Sequence, residues 1–250
     1  MNCEYWNNLA PQYEDEIFSV LQNDRNELVV EQIRRFGSPD KTACDFGCGT
    51  GQFLPYLSES FQKVFAVDIS RDLLATAKKK CARLSNVSYM TADLASRGLR
   101  LSKTPFGLSV NMLIMPSLAW RLRILDALAG HILKDGHLVL VVPSLESAML
   151  ADFRLVEMNL HNGFRPAYAE RAGFETTNHR RLRQGIIPID NVPTKHYLKE
   201  ELVALLRPRG LRIDEILKIE YPWDTEFDSP PCWMKEPLPW DWLVVSQKRR

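Results

Sequence analysis

Between Lys41 and about Pro143, short apolar runs of strand length alternate with helix-length segments, and few architectures accept that order. The strand-like runs fall near 42–46, 63–68, 87–92, 106–113 and 137–142, and helical periodicity near 52–59, 71–83 and 117–132. Neighbouring parallel strands need a crossover, which a helix supplies. The alternation therefore predicts an α/β fold, a doubly wound and mostly parallel sheet with helices on both faces. Runs near 211–219 and 241–247 bring the sheet to seven strands. Ser70 is placed to cap the helix that follows it, with Asp72 in the first turn.

The turn after the first strand is where chemistry enters. From Asp45 to Gly51 the chain reads Asp-Phe-Gly-Cys-Gly-Thr-Gly. Glycine supplies positive φ and leaves no Cβ between ligand and backbone, and the next helix presents unpaired N–H groups. The spacing Gly-x-Gly-x-Gly misses the dinucleotide pattern Gly-x-Gly-x-x-Gly, which receives a pyrophosphate. Two further carboxylates follow. Asp68 ends the run Val64-Phe65-Ala66-Val67, and Asp93 ends Asn86-Val87-Ser88-Tyr89-Met90-Thr91-Ala92. In a parallel α/β sheet both stand on the rim where ligands bind, and Asp68 comes about 20 residues past the glycines, as a ribose contact requires.

The motif Asp-x-Gly-x-Gly-x-Gly, with acids ending the next two strands, resembles the class I S-adenosylmethionine-dependent methyltransferases of the small-molecule type. The resemblance implies a Rossmann-like fold and S-adenosyl-L-methionine as cofactor. It puts the amino-acid end of that ligand against Asp45, Gly47, Gly49 and Gly51. The ribose acid falls on Asp68 with Ile69 beside it, the adenine contact on Asp93 with Leu94, and a further contact on Asn111 at the end of the fourth strand. The segment Tyr5-Trp6…Ala10…Tyr13 is similar to one that closes over the cofactor in that family, with Tyr13 and then Trp6 as its contacts. Aromatic faces there have a physical use, because they attract a desolvated cation such as a sulfonium. The family often has an Asp after the aromatic residue opening the fourth strand; here Gly107 follows Phe106.

The rest of the chain divides around this core. The expected units are a helical N-terminal segment (1–40), the cofactor-binding core (41–143), a lid or substrate cap (144–195), and the C-terminal part of the core with a Trp- and Pro-rich loop (196–250). Asn23 or Asp24 is positioned to cap a helix from Glu27 to Phe36. In the lid a helix is expected over 144–162, with Met149, Phe153, Val156 and Leu160 on one stripe, followed by a hairpin. The sequence Lys195-His196-Tyr197-Leu198-Lys199-Glu200-Glu201-Leu202 resembles the family's entry to its last helix. Trp223, Trp233, Trp240 and Trp242 are interleaved with five prolines, which exclude regular structure between 222 and 239. Those rings either finish the core or, for Trp223 and Trp233, wall an acceptor pocket.

Methyl transfer needs an aligned, desolvated acceptor, and a base only if the acceptor must lose a proton. Ionisable candidates are His161, Tyr168, His179, Asp190, His196 and Tyr197, with His196, Tyr197 and His161 foremost; none is assigned as a base. The fourth strand ends in Met-Leu-Ile-Met-Pro-Ser rather than the Asn-Pro-Pro-Tyr string of many enzymes that methylate nucleobase amines, which favours a small-molecule acceptor. A net charge of +1 supplies no field for a polyanion. The alternatives are a methyltransferase acting on RNA or protein, docked through Arg180, Arg181 and Arg183, and a catalytically silent cofactor-binding partner. Five cysteines without framework spacing point to a reducing, cytoplasmic setting, and Cys44 and Cys48 to packing rather than a metal. No membrane association is expected, and the sequence leaves oligomeric state open.

Overall fold

A computed structural model describes residues 2–169, 184–189 and 191–249. Four helices precede the sheet: α1 (Cys3–Leu9), α2 (Tyr13–Glu16), α3 (Val20–Asn23) and α4 (Leu28–Phe36). The core then runs β1 (Ser38–Phe46), α5 (Leu54–Ser60), β2 (Phe61–Asp68), α6 (Arg71–Lys80), β3 (Val87–Thr91), β4 (Thr104–Val110), α7 (Leu118–His131) and β5 (Ile132–Pro143). After β5 come α8 (Leu145–His161), a hairpin of β6 (Ile186–Ile189) and β7 (Val192–Lys195), α9 (Lys199–Leu206), β8 (Leu211–Glu220) and β9 (Trp240–Lys248).

The seven core strands lie in the order β3-β2-β1-β4-β5-β9-β8. The first five pair in parallel, while β9 runs antiparallel to both β5 and β8. Because side chains alternate across a strand, consecutive residues feed two cores. Ala43, Ala66 and Val139 pack with Ile33, Leu54, Leu57 and Leu74 of α4, α5 and α6. Their neighbours Cys44, Val67 and Leu140 pack on the opposite face with Ile124, Leu125 and Leu128 of α7 and Leu202 and Leu206 of α9. Three layers result, helix–sheet–helix, and both faces of the central strands are dry.

Local chemistry sets the boundaries. Ser70 Oγ accepts from Leu73 N–H at 3.1 Å, capping α6 as expected. Asp24 Oδ2 accepts from Val29 N–H at 3.0 Å, although the residue that occupies the cap position of α4 is Glu27, with φ +52°. α5 starts at Leu54 rather than at Gln52, since the glycine turn extends through Gly51. β4 stops at Val110, short of Leu113, because Asn111 takes φ +47° and cannot continue a strand. The expected helix and hairpin of the 144–195 segment are present as α8 and β6–β7. The stripe on α8 faces outward, however, with Met149, Phe153 and Leu160 exposed. Between 222 and 239 only a 3-10 turn, Trp223–Thr225, interrupts irregular chain. No described helix is long and apolar enough to cross a membrane.

Candidate functional site

The strand order reverses between β1 and β4, and in open α/β sheets a crevice forms at that point, outside the carboxyl ends of the strands. The glycine turn forms its floor. Gly47, Gly49 and Gly51 have φ of +77°, +54° and +84°, the left-handed region where a side chain is strained. Gly47 and Cys48 both donate their N–H groups to Val67 O, at 2.7 and 3.1 Å, which pins the turn to the end of β2. Space is as tight as the backbone. A Cβ on Gly47 would come within 2.7 Å of Met112 Cγ, and one on Gly49 within 2.9 Å of Tyr13 Oη.

Asp68 is the hinge of this floor. Its Oδ2 accepts from Gly49 N–H at 2.9 Å, and its Oδ1 from Ser70 N–H at 2.8 Å. Each oxygen keeps a further lone pair. Burial raises the Asp68 pKa, against the pull of the N–H groups of Ser70, Gly49 and Ile69. Asp45, one strand away, is 3% exposed and pairs with no described donor. Burial, and next the charge of Asp68, push its pKa up to about 7. Asp93 closes an Asx turn through Oδ1 and Ala95 N–H at 2.8 Å. Three acids thus sit where three successive strands end, and two of them are buried.

Two cavities meet above the floor. A narrow one of about 80 Å³ is bounded by Asp68, Ile69, Asp93 and Leu94, with Met115 and Trp120 opposite. A larger one of about 670 Å³ has Asp45, Cys48 and Thr50 on its inner side and Ile189, Val192 and Thr194 of the hairpin on another. Trp6, Tyr13, Gly47 and Asn111 border both. Of the sequence-derived set, Gly47, Asp68, Ile69, Asp93, Leu94, Asn111, Trp6 and Tyr13 line the crevice, Asp45 lines the larger cavity and Gly49 lies under Tyr13, whereas Gly51 faces Leu54 and Ala77 in the core and lines neither cavity.

The N-terminal segment is fastened across this crevice mainly by polar contacts. Ser70 Oγ donates to Asn7 Oδ1 at 2.6 Å, Ser19 Oγ donates to Gln52 Oε1 at 2.9 Å, and Glu14 pairs with Lys80. No residue of α1 or α2 is buried, so little apolar area holds the segment down. A segment of that kind has low local stability and can open.

The ionisable candidates divide differently. Tyr197 is fully buried and donates its hydroxyl to Leu113 O at 2.7 Å, which makes it a core residue. His196 lines neither cavity; its ring contacts Thr194 O at 3.1 Å, and burial lowers its pKa to about 4. His161 ends α8 and lies against Trp233, ring centres 4.4 Å apart. Tyr168 is exposed. None of these four reaches the crevice. His179, Asp190, Arg180, Arg181 and Arg183 lie outside the described residues. Trp223 is buried, with Nε1 donating to Lys235 O at 2.9 Å, and borders neither cavity; nor does Trp233. Among the described residues no His, Cys, Asp or Glu cluster could hold a metal ion.

One functional group escapes sequence reasoning. Asp241, at the start of β9, accepts from Asn111 Nδ2 at 3.2 Å and from Tyr221 Oη at 3.0 Å. Those bonds turn the Asn111 amide so that its Oδ1 is buried without a donor. Burial pushes the Asp241 pKa up to about 6, while the two hydrogen bonds pull the other way. A sequence separation of 130 residues between partners leaves no local signal.

Comparison with known proteins agrees with this geometry. Residues 43–136 match the family model described as a methyltransferase domain. No curated protein sequence matches the chain. Among solved structures, the N-methyltransferase NodS of Bradyrhizobium japonicum WM9, in complex with S-adenosyl-L-homocysteine, superposes with TM-score 0.62 at 12% identity, over 98% of this chain and 99% of that one. A putative S-adenosylmethionine-dependent methyltransferase of Listeria monocytogenes gives 0.60 at 18%, over 88% and 96%. Magnesium protoporphyrin IX methyltransferase of Synechocystis PCC 6803, with S-adenosylhomocysteine bound, gives 0.59 at 16%, over 98% and 97%. Residues 43–136 are thus similar to a methyltransferase domain, and the chain as a whole shares the fold of solved S-adenosylmethionine-dependent methyltransferases.

Proposed function

We propose that the protein binds S-adenosyl-L-methionine in this crevice and transfers its methyl group to a small-molecule acceptor. The observation that carries the reading is the pair of joined cavities with Asp68 and Asp93 in the narrow one and the glycine turn between them. The residues suit the cofactor on structural grounds. Asp68 keeps a free lone pair on each oxygen after binding two N–H groups, as a ribose diol requires. Asn111 Oδ1 is buried with no donor, and Gly47 and Gly49 let Met112 and Tyr13 close against the turn where a Cβ would clash. When bound, the cofactor supplies a methyl carbon activated by a sulfonium leaving group.

What the chain contributes is position and polarity. Asp68 and Asp93 would hold the nucleoside, and Asp45 and Asn111 the ammonium of the amino-acid arm. Trp6 and Tyr13 would cover the positively charged sulfur and exclude water, an arrangement that aromatic faces stabilise. The larger cavity is of the size that small-molecule sites have, a few hundred to a thousand Å³. With Tyr197, His196 and His161 committed elsewhere, a general base drawn from them is not needed for this reading. Alignment of the acceptor carries the rate.

Calorimetry with S-adenosylhomocysteine tests the proposal. Binding to the wild type should weaken on Asp68→Asn by about 1.5–3 kcal/mol, the range for disrupting a charged hydrogen-bonding partner. NAD binding more tightly than S-adenosylhomocysteine, or an unchanged affinity in the variant, would overturn it.

A further inference from the structure

Asn111 is held twice over, once by its backbone and once by its side chain. With φ +47°, its main-chain N–H donates to Val141 O at 2.9 Å, which ties this point of the chain to β5. Its Nδ2 donates to Asp241 Oδ2 at 3.2 Å, and the same carboxylate oxygen accepts from Tyr221 Oη at 3.0 Å. Asp241 is 8% exposed and borders neither cavity, whereas Asn111 borders both. The carboxylate has a rigid seat. It lies on β9 opposite Pro143 of β5 and Ile219 of β8, and the N–H of adjacent Trp240 donates to Ser147 Oγ at 2.7 Å. Burial, and next the charge of Asp241, raise the Tyr221 pKa, so that hydroxyl keeps its proton and remains a donor. An amide offers an acceptor at one end and donors at the other, and the two ends are nearly equal in size. Packing alone does not choose between them. A carboxylate does, since it accepts from the nitrogen and repels the oxygen. The choice leaves Asn111 Oδ1 buried without a donor, which costs stability unless a ligand meets it.

From this arrangement we infer that Asp241 is a positioning residue: it fixes Asn111 as an acceptor for the ammonium on the cofactor's amino-acid arm, and so sets the crevice's preference for ligands that carry one. The inference rests on the methyltransferase reading above and deepens it by naming what selects that group. Asp241 does not touch the ligand; it acts through one hydrogen bond. Asp45 ends β1, the strand beside β4, and lines the larger cavity with Asn111, so the two acceptors stand at the ends of neighbouring strands. An ammonium brings three N–H donors and a full charge, and it is met by acceptors alone. Turned the other way, the Asn111 amide would point N–H groups at that cation, and attraction would become repulsion at the same place. A ligand without the ammonium gains nothing from either orientation.

Calorimetry on the full chain tests this with two ligands that differ in that group alone: S-adenosylhomocysteine and its deaminated analogue, with hydrogen in place of the α-ammonium. The wild type should bind S-adenosylhomocysteine the more tightly. Asp241→Ala should weaken S-adenosylhomocysteine by about tenfold, the lower end for one hydrogen bond to a charged group. Its affinity for the deaminated analogue should stay within roughly threefold. Asn111→Ala should behave alike, and the two substitutions together should lose no more than Asn111→Ala alone, because residues that act through one contact are not additive. If Asp241→Ala does not fold, Asp241→Val combined with Tyr221→Phe replaces both buried partners by apolar groups, a change that can be nearly neutral for stability, and should show the same selective loss. An equal loss for both ligands would make Asp241 purely structural and overturn the inference. So would an unchanged S-adenosylhomocysteine affinity, losses that multiply in the combined variant, or a wild type that binds the two ligands equally. A wild type that binds neither ligand would instead strike the cofactor reading, and the first titration separates the two.

Discussion

Replacing Asp45 by Asn should make the free protein more stable at neutral pH, and the gain should grow with pH. The side chain is buried, reaching only the wall of the larger cavity, with no described donor, and burial together with the Asp68 charge raises its pKa to about 7. In the unfolded chain the same group ionises near 3.9. A raised carboxyl pKa means that the folded state holds the proton more tightly than the unfolded state. The stabilising effect of that proton is greatest below the unfolded pKa, falls as pH rises, and is gone above the folded pKa. At 1.36 kcal/mol per unit, the cost of ionising Asp45 in place approaches about 4 kcal/mol above pH 7. Between pH 5 and 7.5 the wild type should lose roughly 2–3 kcal/mol that Asp45→Asn keeps. For a chain of this length that is about 5–10 °C in Tm. Other raised acids, Asp241 at about 6 and Glu226 at about 7, are present in both proteins and cancel in the difference. Denaturant unfolding at the two pH values measures it. A difference between variant and wild type that does not change with pH, or a variant less stable at pH 7.5, would refute the account. The same variant should bind S-adenosylhomocysteine more weakly, since an unpaired buried carboxylate is tolerable only where a cation comes to meet it.

Tyr197→Phe should lower stability by about 1–3 kcal/mol, because Leu113 O loses its buried donor, while leaving the affinity for S-adenosylhomocysteine unchanged; loss of that affinity with stability intact would place the hydroxyl in the site instead. Hydrogen exchange should show residues 3–20 becoming protected when S-adenosylhomocysteine is added, since mainly polar contacts such as Ser70–Asn7 and Ser19–Gln52 hold the segment. Unchanged exchange there, with protection confined to 45–52, would reduce Trp6 and Tyr13 to packing roles.

The elements were legible because their signals are local. Strand length, helical period, the Ser70 cap and the demand of the glycine turn for positive φ are properties of a few consecutive residues. Asp68 and Asp93 could be read for the same reason, as acids placed at strand ends by a two-residue period. What misled the reading was local too. Asn111 interrupts β4 by its own backbone angle, where the apolar run alone predicted a strand through Leu113.

Which side chains reach the crevice, by contrast, depends on what lies far along the chain. His196 and Tyr197 share the residue types of a catalytic pair, yet the approach of Leu113, 84 positions away, turns Tyr197 into a core residue. Trp223 looked equally suited to a pocket wall, and Lys235 draws its indole inward. The partnership of Asp241 with Asn111 exists because β9 runs back antiparallel beside β5, bringing a carboxylate across from the end of β4. Sequence alone determined the order of strands and helices, the glycine turn and the rim acids, since each follows from backbone preferences and periodicity over short range. Which buried groups are left unpaired is decided only when distant segments compete for the same hydrogen bonds in the closed fold.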